Sequence, residues 1–244
     1  MKAVVFCAGY GTRLYPLTLE QPKALLSIKG KALLEYILER IPKNIGIFIV
    51  SNEKFYMNFV WWLSKNNENK KRKIEVLSTG SKSVEDRKGS VHDLLFVLEQ
   101  EKINDDILVV YGDLFFDFDL ESFVDFFFDK KTSCIALHDL KKKERAYKYG
   151  VVELDEQAKI LSIEEKPKEA RSSLVVTGIY IIKKEDLNLL REFYKKAQND
   201  WKANPDLGVT HFFQELCKHE DVYGYVFQGS WKDIGSLEDY EEVK

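Results

Sequence analysis

Gly9, Gly11, Arg13 and Lys23 together suit the handling of phosphate. Gly9 and Gly11 let the backbone turn sharply and approach a ligand closely. Bare N–H groups in such a turn form a concavity for anions. The Arg13 guanidinium is a planar fork that can grip phosphate oxygens, and Lys23 adds a second cation ten residues later. Pro16 and Pro22 bar a regular helix from crossing this stretch. The apolar run Ala3–Phe6 just before it reads as a buried strand. One loop therefore gathers backbone donors and two cations at the end of a strand, which is a phosphate cradle. A dinucleotide-binding G-x-G-x-x-G is excluded, because Leu14 stands where the third Gly should open a helix. A P-loop is excluded too: Gly9 and Gly11 are too close, and no Gly-Lys-Ser/Thr follows.

A carboxylate belongs with this cradle. Asp113 follows the apolar strand Ile107–Tyr111 and Gly112. In open parallel sheets, ligands bind beyond the carboxyl ends of the strands, so Asp113 faces the same crevice as Gly9–Arg13. Gly-Asp is also a common turn pair, and that plainer role stays open on this dipeptide alone.

The elements that position these residues alternate through the first half. Leu33, Leu34, Ile37, Leu38 and Ile41 recur at helical spacing. Ile45–Val50 is a continuous apolar run suited to a central parallel strand. Residues 53–64 read as a helix whose Trp61-Trp62 pair serves the core or a subunit contact. Lys65–Lys73 reads as a solvated charged loop, Lys73–Leu77 as a strand and 78–89 as a polar loop. His92–Glu101 and Leu120–Phe128 are helices; Ile107–Tyr111 and Ile135–Leu137 are strands. This order predicts an α/β fold, a Rossmann-like open, mostly parallel sheet with helices on both faces. The second half changes style. Tyr149–Leu154, Ile160–Ile163 and Leu174–Ile182 are strands with few helices between them, which predicts a small antiparallel lobe. Residues 184–197 and 209–218 read as helices, Val222–Phe227 as a last strand and Gly229–Gly235 as a last functional loop.

Composition bounds the function classes. The 244 residues suit one large α/β domain, with 45% hydrophobic content for its core. A net charge of −3 gives no global attraction to nucleic acid or anionic membrane. The three cysteines, Cys7, Cys134 and Cys217, are odd in number and far apart, which suits buried thiols in a reducing compartment. No apolar stretch approaches the ~20 residues of a membrane span, and Met1-Lys2 leads straight into a strand, so the expected location is the cytoplasm.

The longer pattern G-x-G-T-R-L-x-P-L-T-x-x-x-P-K over Gly9–Lys23 resembles the signature of the sugar-1-phosphate nucleotidylyltransferases, the family that contains glucose-1-phosphate thymidylyltransferase. Further motifs follow in that family's order: Tyr111-Gly-Asp113, Glu164-Glu-Lys-Pro167 with Val176-Thr-Gly-Ile-Tyr180, and Trp231-Lys-Asp-Ile-Gly235. The resemblance implies a nucleotide half at about 1–138 and a sugar-phosphate half at about 139–244 of a single catalytic domain. It implies that Ala8, Gly9, Gly11 and Thr12 bind the nucleotide and that Arg13 and Lys23 are catalytic. Gly89, in Lys88-Gly-Ser-Val-His-Asp93, would lie near the base; His92 stands there where a Gly is frequent, and it reads as a helix-start residue or, as the alternative, a base contact. Gly150, Glu165 and Thr177 would contact sugar hydroxyls, and Lys166 would hold the sugar phosphate. Asp113 and Asp233 would share a Mg²⁺ ion, since two carboxylates with phosphate oxygens are its usual environment.

The implied reaction joins an NTP, best dTTP or UTP, to a sugar 1-phosphate, best glucose 1-phosphate. Mannose-1-phosphate guanylyltransferase is the alternative within the class. A catalytically inactive, nucleotide-sugar-binding regulatory subunit is the alternative outside it, and the joint presence of Arg13, Lys23, Asp113 and Asp233 argues against it. The expected partners are these small molecules, not nucleic acid or membrane; a homo-oligomer is allowed. The C-terminal hexapeptide β-helix of many long relatives is not expected within these 244 residues.

Overall fold

The structure is a computed structural model and describes residues 1–66, 72–198 and 207–244. Most of the charged stretch predicted as a solvated loop lies outside the described residues. In chain order the first elements are β1 (Lys2–Phe6), β2 (Ser27–Ile28), β3 (Lys31–Ala32), α1 (Leu33–Arg40), β4 (Gly46–Ser51) and α2 (Tyr56–Lys65). Then come β5 (Ile74–Ser78), α3 (Ser90–Gln100), β6 (Ile107–Tyr111), β7 (Leu114–Phe116), α4 (Glu121–Lys130) and β8 (Cys134–Asp139). The last are β9 (Gly150–Leu154), β10 (Ile160–Glu165), β11 (Leu174–Ile182), α5 (Leu187–Gln198), α6 (Val209–Leu216), β12 (Tyr223–Val226), β13 (Trp231–Asp233) and α7 (Leu237–Glu241).

The centre is the parallel series β6-β1-β4-β5. Strands β1, β4 and β6 are almost wholly apolar because both their faces are covered, whereas β5 at the edge carries Glu75 and Ser78 and is half-buried. Ala3 and Val5 of β1 pack with α1, α2 and α4, whereas Val4 and Phe6 pack with α3, α5 and α6. Helices therefore lie on both faces, as the alternating pattern predicts. The antiparallel part is continuous with this sheet: β11 runs antiparallel to β6, β9 and β8. Strand β10 completes one edge against β9, and β12 lies parallel to β8. Two small antiparallel pairs, β2–β3 and β7–β13, stand outside the large sheet.

Two details of the sequence reading resolve here. Trp62 packs partly against the core, and Trp61 is exposed. Helix α2 starts at Tyr56 because buried Asn52 accepts a hydrogen bond from the Phe55 N–H, 2.9 Å, and holds the preceding turn. Among the described residues no helix is long and apolar enough to cross a membrane.

Candidate active site

Phe6 and Tyr111 lie opposite each other at the carboxyl ends of β1 and β6. The two exits are joined where Gly112 N–H donates to Phe6 O, 2.8 Å. A Cβ at Gly112 would overlap Cys7 Sγ and lie 2.7 Å from Phe6 O, so only glycine allows this approach. Backbone closeness thus brings Asp113 next to the loop after β1.

That loop is built as the sequence predicts, without a regular helix: two short 3-10 turns, Thr12–Leu14 and Lys23–Leu25, carry its cations. Gly11 is left-handed at φ 63°, a conformation glycine takes without cost. Thr18 locks it from below. Its buried hydroxyl donates to Gly11 O, 2.6 Å, and its methyl would lie 3.0 Å from any Cβ at Gly11. Asn52 anchors the other side, donating to Ala8 O, 2.9 Å. A Cβ at Gly9 would meet nothing within 4 Å, so this backbone is open to a ligand. Arg13 is exposed and has no hydrogen-bond or ion-pair partner among the described residues. Neither Thr18 nor Asn52 was singled out from sequence, although Thr18 lies inside the signature. Thr18→Val should lower unfolding stability by roughly 1 kcal/mol through loss of the buried hydrogen bond. Denaturant titration measures it, and an unchanged midpoint would show that Gly11 needs no lock.

The carboxylates converge. Strand β7, directly after Asp113, pairs with β13, so that Asp233 lies opposite Leu114. The Ile234 N–H then donates to Asp113 O, 2.9 Å. Lys23 Nζ donates to Asp113 Oδ2 at 2.7 Å and to Ile234 O at 2.9 Å. The Asp233 carboxyl is pushed up to about 7, first by burial and next by the charge of Asp113, while Lys23 and Arg13 pull it down. Asp233 lies outside the start of α7, which Ser236 caps by accepting from the Asp239 N–H at 3.2 Å. Among the described residues Lys23 pairs with Asp113, and no cation lies within ion-pair distance of Asp233. That donor set fits a divalent cation held by two carboxylates with its other positions left to water and phosphate. It does not fit a closed structural cage, since among the described residues no three His, Cys, Asp or Glu side chains cluster to hold a metal.

Asp113 and Asp233 line one cavity of about 290 Å³ with Gly150, Glu165, Lys166 and Thr177. Gly150 begins β9, and a Cβ there would lie 3.0 Å from Glu165 Oε2 and 3.1 Å from Val176 Cγ2. The missing side chain is what leaves room for the Glu165 carboxylate. Lys166 is exposed, with positive φ of 47°, and its Nζ lies 3.5 Å from Glu165 Oε1. The buried Thr177 hydroxyl donates to Ala136 O, 2.7 Å, which commits its proton. Trp231 Nε1 donates to Thr177 O, 3.1 Å, tying the β13 wall to the β11 wall.

Tyr111, Thr210, His211 and Trp231 also line the cavity, and sequence reasoning did not assign them a ligand role. Gly89 is not among the lining residues. It heads α3 at φ 85°, and a Cβ would lie 2.9 Å from Leu207 O, so packing against residue 207 requires glycine. His92 sits in the first turn of α3, beside Asp93 at 3.3 Å, in the helix-start place predicted for it.

A family profile described as nucleotidyl transferase matches residues 2–244. The bifunctional protein GlmU of Methanocaldococcus jannaschii is 30% identical over 238 residues, which is 96% of this chain and 51% of that protein. A Sulfolobus acidocaldarius protein, provisionally named a mannose-1-phosphate guanyltransferase, is 30% identical over 243 residues, 100% of this chain and 62% of that one. The chain spans about half the length of the first GlmU relatives it matches. A solved Bacillus anthracis structure, provisionally a glucose-1-phosphate thymidylyltransferase, shares the fold at TM-score 0.84 and 24% identity, covering 100% of this chain and 93% of that one. With its sequence matched almost from end to end, the chain belongs to the nucleotidyl transferase family.

Proposed function

We propose that this chain transfers a nucleotidyl group from an NTP to a sugar 1-phosphate. The observation that carries the reading is one cavity shared by the paired carboxylates Asp113 and Asp233 and by Glu165 and Lys166, with Lys23 of the cradle bonded to Asp113. A phosphate oxygen of the sugar 1-phosphate attacks the α-phosphorus, and the bond from that phosphorus to pyrophosphate breaks. The nucleophile is already an anion, so no general base is needed. The chain must align the reactants and screen their repulsion. The open backbone at Ala8–Thr12 and the Arg13 guanidinium take the triphosphate. Lys23 serves the phosphates at the reacting centre. Glu165, Thr177 and the backbone at Gly150 orient sugar hydroxyls, and Lys166 places the attacking phosphate. Asp113 and Asp233 would hold Mg²⁺, which supplies Lewis-acid withdrawal of charge from the phosphoryl oxygens.

We assign glucose 1-phosphate with dTTP or UTP as the first substrate pair. Mannose 1-phosphate with GTP is the second reading, favoured by the Sulfolobus relative that matches the whole chain. A pyrophosphate-release screen of five NTPs against a panel of sugar 1-phosphates decides between them. No release from any pair, with nucleotide-sugar binding intact, would sink the catalytic reading.

Lys166→Ala is expected to raise KM for the sugar phosphate by roughly 10-fold or more, given the ~1.5–3 kcal/mol of a charge-assisted bond. Calorimetric NTP affinity should hardly change; an equal loss there would move Lys166 to the nucleotide half. Gly150→Ala should act in the same direction, by pushing Glu165 off its place.

A further inference from the structure

The residue proposed to serve the phosphates is not free to do so in the structure. The Lys23 ammonium has three donors, and two are used within the protein, on Asp113 Oδ2 at 2.7 Å and Ile234 O at 2.9 Å. Its side chain is largely buried, with 16% exposure. The three groups come from distant places: Lys23 from the cradle, Asp113 from the end of β6, and Ile234 from just beyond β13. A single cation bridges them, on hard oxygens of the kind that bind magnesium or manganese.

A divalent ion drawn to Asp113 competes with the ammonium for the same carboxylate. Two cations on one carboxylate repel at such range, even at the effective dielectric of a protein surface. We propose that Lys23 is a built-in placeholder for the metal: it neutralises Asp113 before the metal arrives, and metal binding releases its ammonium toward the triphosphate. Metal and nucleotide then assist each other. The metal frees the cation that the phosphates need, and phosphates that draw Lys23 away vacate the metal's oxygens. Linkage makes this help reciprocal. The inference rests on the proposed Asp113–Asp233 metal site and adds what occupies Asp113 before the metal arrives.

The test is Mn²⁺ binding to the nucleotide-free protein, followed by electron paramagnetic resonance or calorimetry. Removing a placeholder should tighten metal binding even as it weakens catalysis, whereas loss of a merely structural tie would weaken both. Lys23→Met is expected to bind Mn²⁺ about 10-fold more tightly than the unaltered protein, with a larger Mn²⁺-induced rise in melting temperature. Lys23→Gln, a polar side chain without charge, should act in the same direction and answers the question if Lys23→Met does not fold. Equal or weaker Mn²⁺ binding in the folded variant overturns the placeholder. Asp113→Asn separates the two ideas. If it abolishes Mn²⁺ binding while the Lys23 variants bind no tighter, the metal site stands and the placeholder falls. If it leaves Mn²⁺ binding unchanged, the metal-site reading falls and the placeholder with it.

Discussion

Asp113→Asn and Asp233→Asn are each expected to reduce turnover by roughly 10²-fold or more, the scale of losing several kcal/mol of transition-state charge stabilisation. EDTA should do the same to the unaltered protein. The two carboxylates reach one cavity from segments more than a hundred residues apart, joined by the β7–β13 pairing. Burial, and after it the charge of Asp113, raise the Asp233 carboxyl despite the Lys23 ammonium on Asp113. The double variant should be little worse than either single one, because residues serving one ion act as a unit. Stability should move the opposite way. An acid whose folded value is raised from 3.8 to about 7 binds more protons folded than unfolded across that interval, so its contribution to stability falls as pH rises through it. Asp233→Asn removes that cost, and in EDTA at pH 8 it should melt higher than the unaltered protein. Additive losses of activity would contradict a shared cation site, and a lower melting temperature for Asp233→Asn would contradict the raised carboxyl.

Arg13→Ala and Lys23→Ala are expected to lower kcat by roughly 10²–10³, the range for removing one preorganised charge-stabilising donor. Their surroundings predict different side effects. Arg13 is exposed and unpaired among the described residues, so its loss should leave folding stability nearly unchanged. Lys23 ties three segments together, so its loss should show in both turnover and melting behaviour. Steady-state kinetics at saturating substrates, beside a thermal melt, separates the two. Near-normal turnover in both variants would remove the cradle from the chemistry.

The parallel core was legible in the sequence for a physical reason. A strand buried on both faces must be apolar at every position, and Ala3–Phe6, Ile45–Val50 and Ile107–Tyr111 are such runs. Asp113 was legible because a strand end fixes where the next carboxylate faces. The antiparallel pairings were not: β8 meets β12 from nearly ninety residues away, and nothing local in Cys134–Asp139 names that partner. The cavity shows the same limit. Glu165 and Lys166 were reached through a motif, whereas Thr210 and His211 enter only because α6 begins beside β9 and β11. Thr18 and Asn52 are hidden differently, since they serve the cradle through backbone carbonyls and leave no charge pattern to read.

The pairing of β7 with β13 also sets an order of events during synthesis. The cradle and the central strand leading to Asp113 leave the ribosome early, whereas the contact of Lys23 with Ile234 spans 211 positions. Contacts of such separation close late, since the loop entropy must be overcome first. A nascent chain stopped after α6 already contains the cradle and every strand of the parallel series β6-β1-β4-β5, but it lacks Asp233. Asp233 therefore joins Asp113 only once β13, made more than a hundred residues later, has paired with β7.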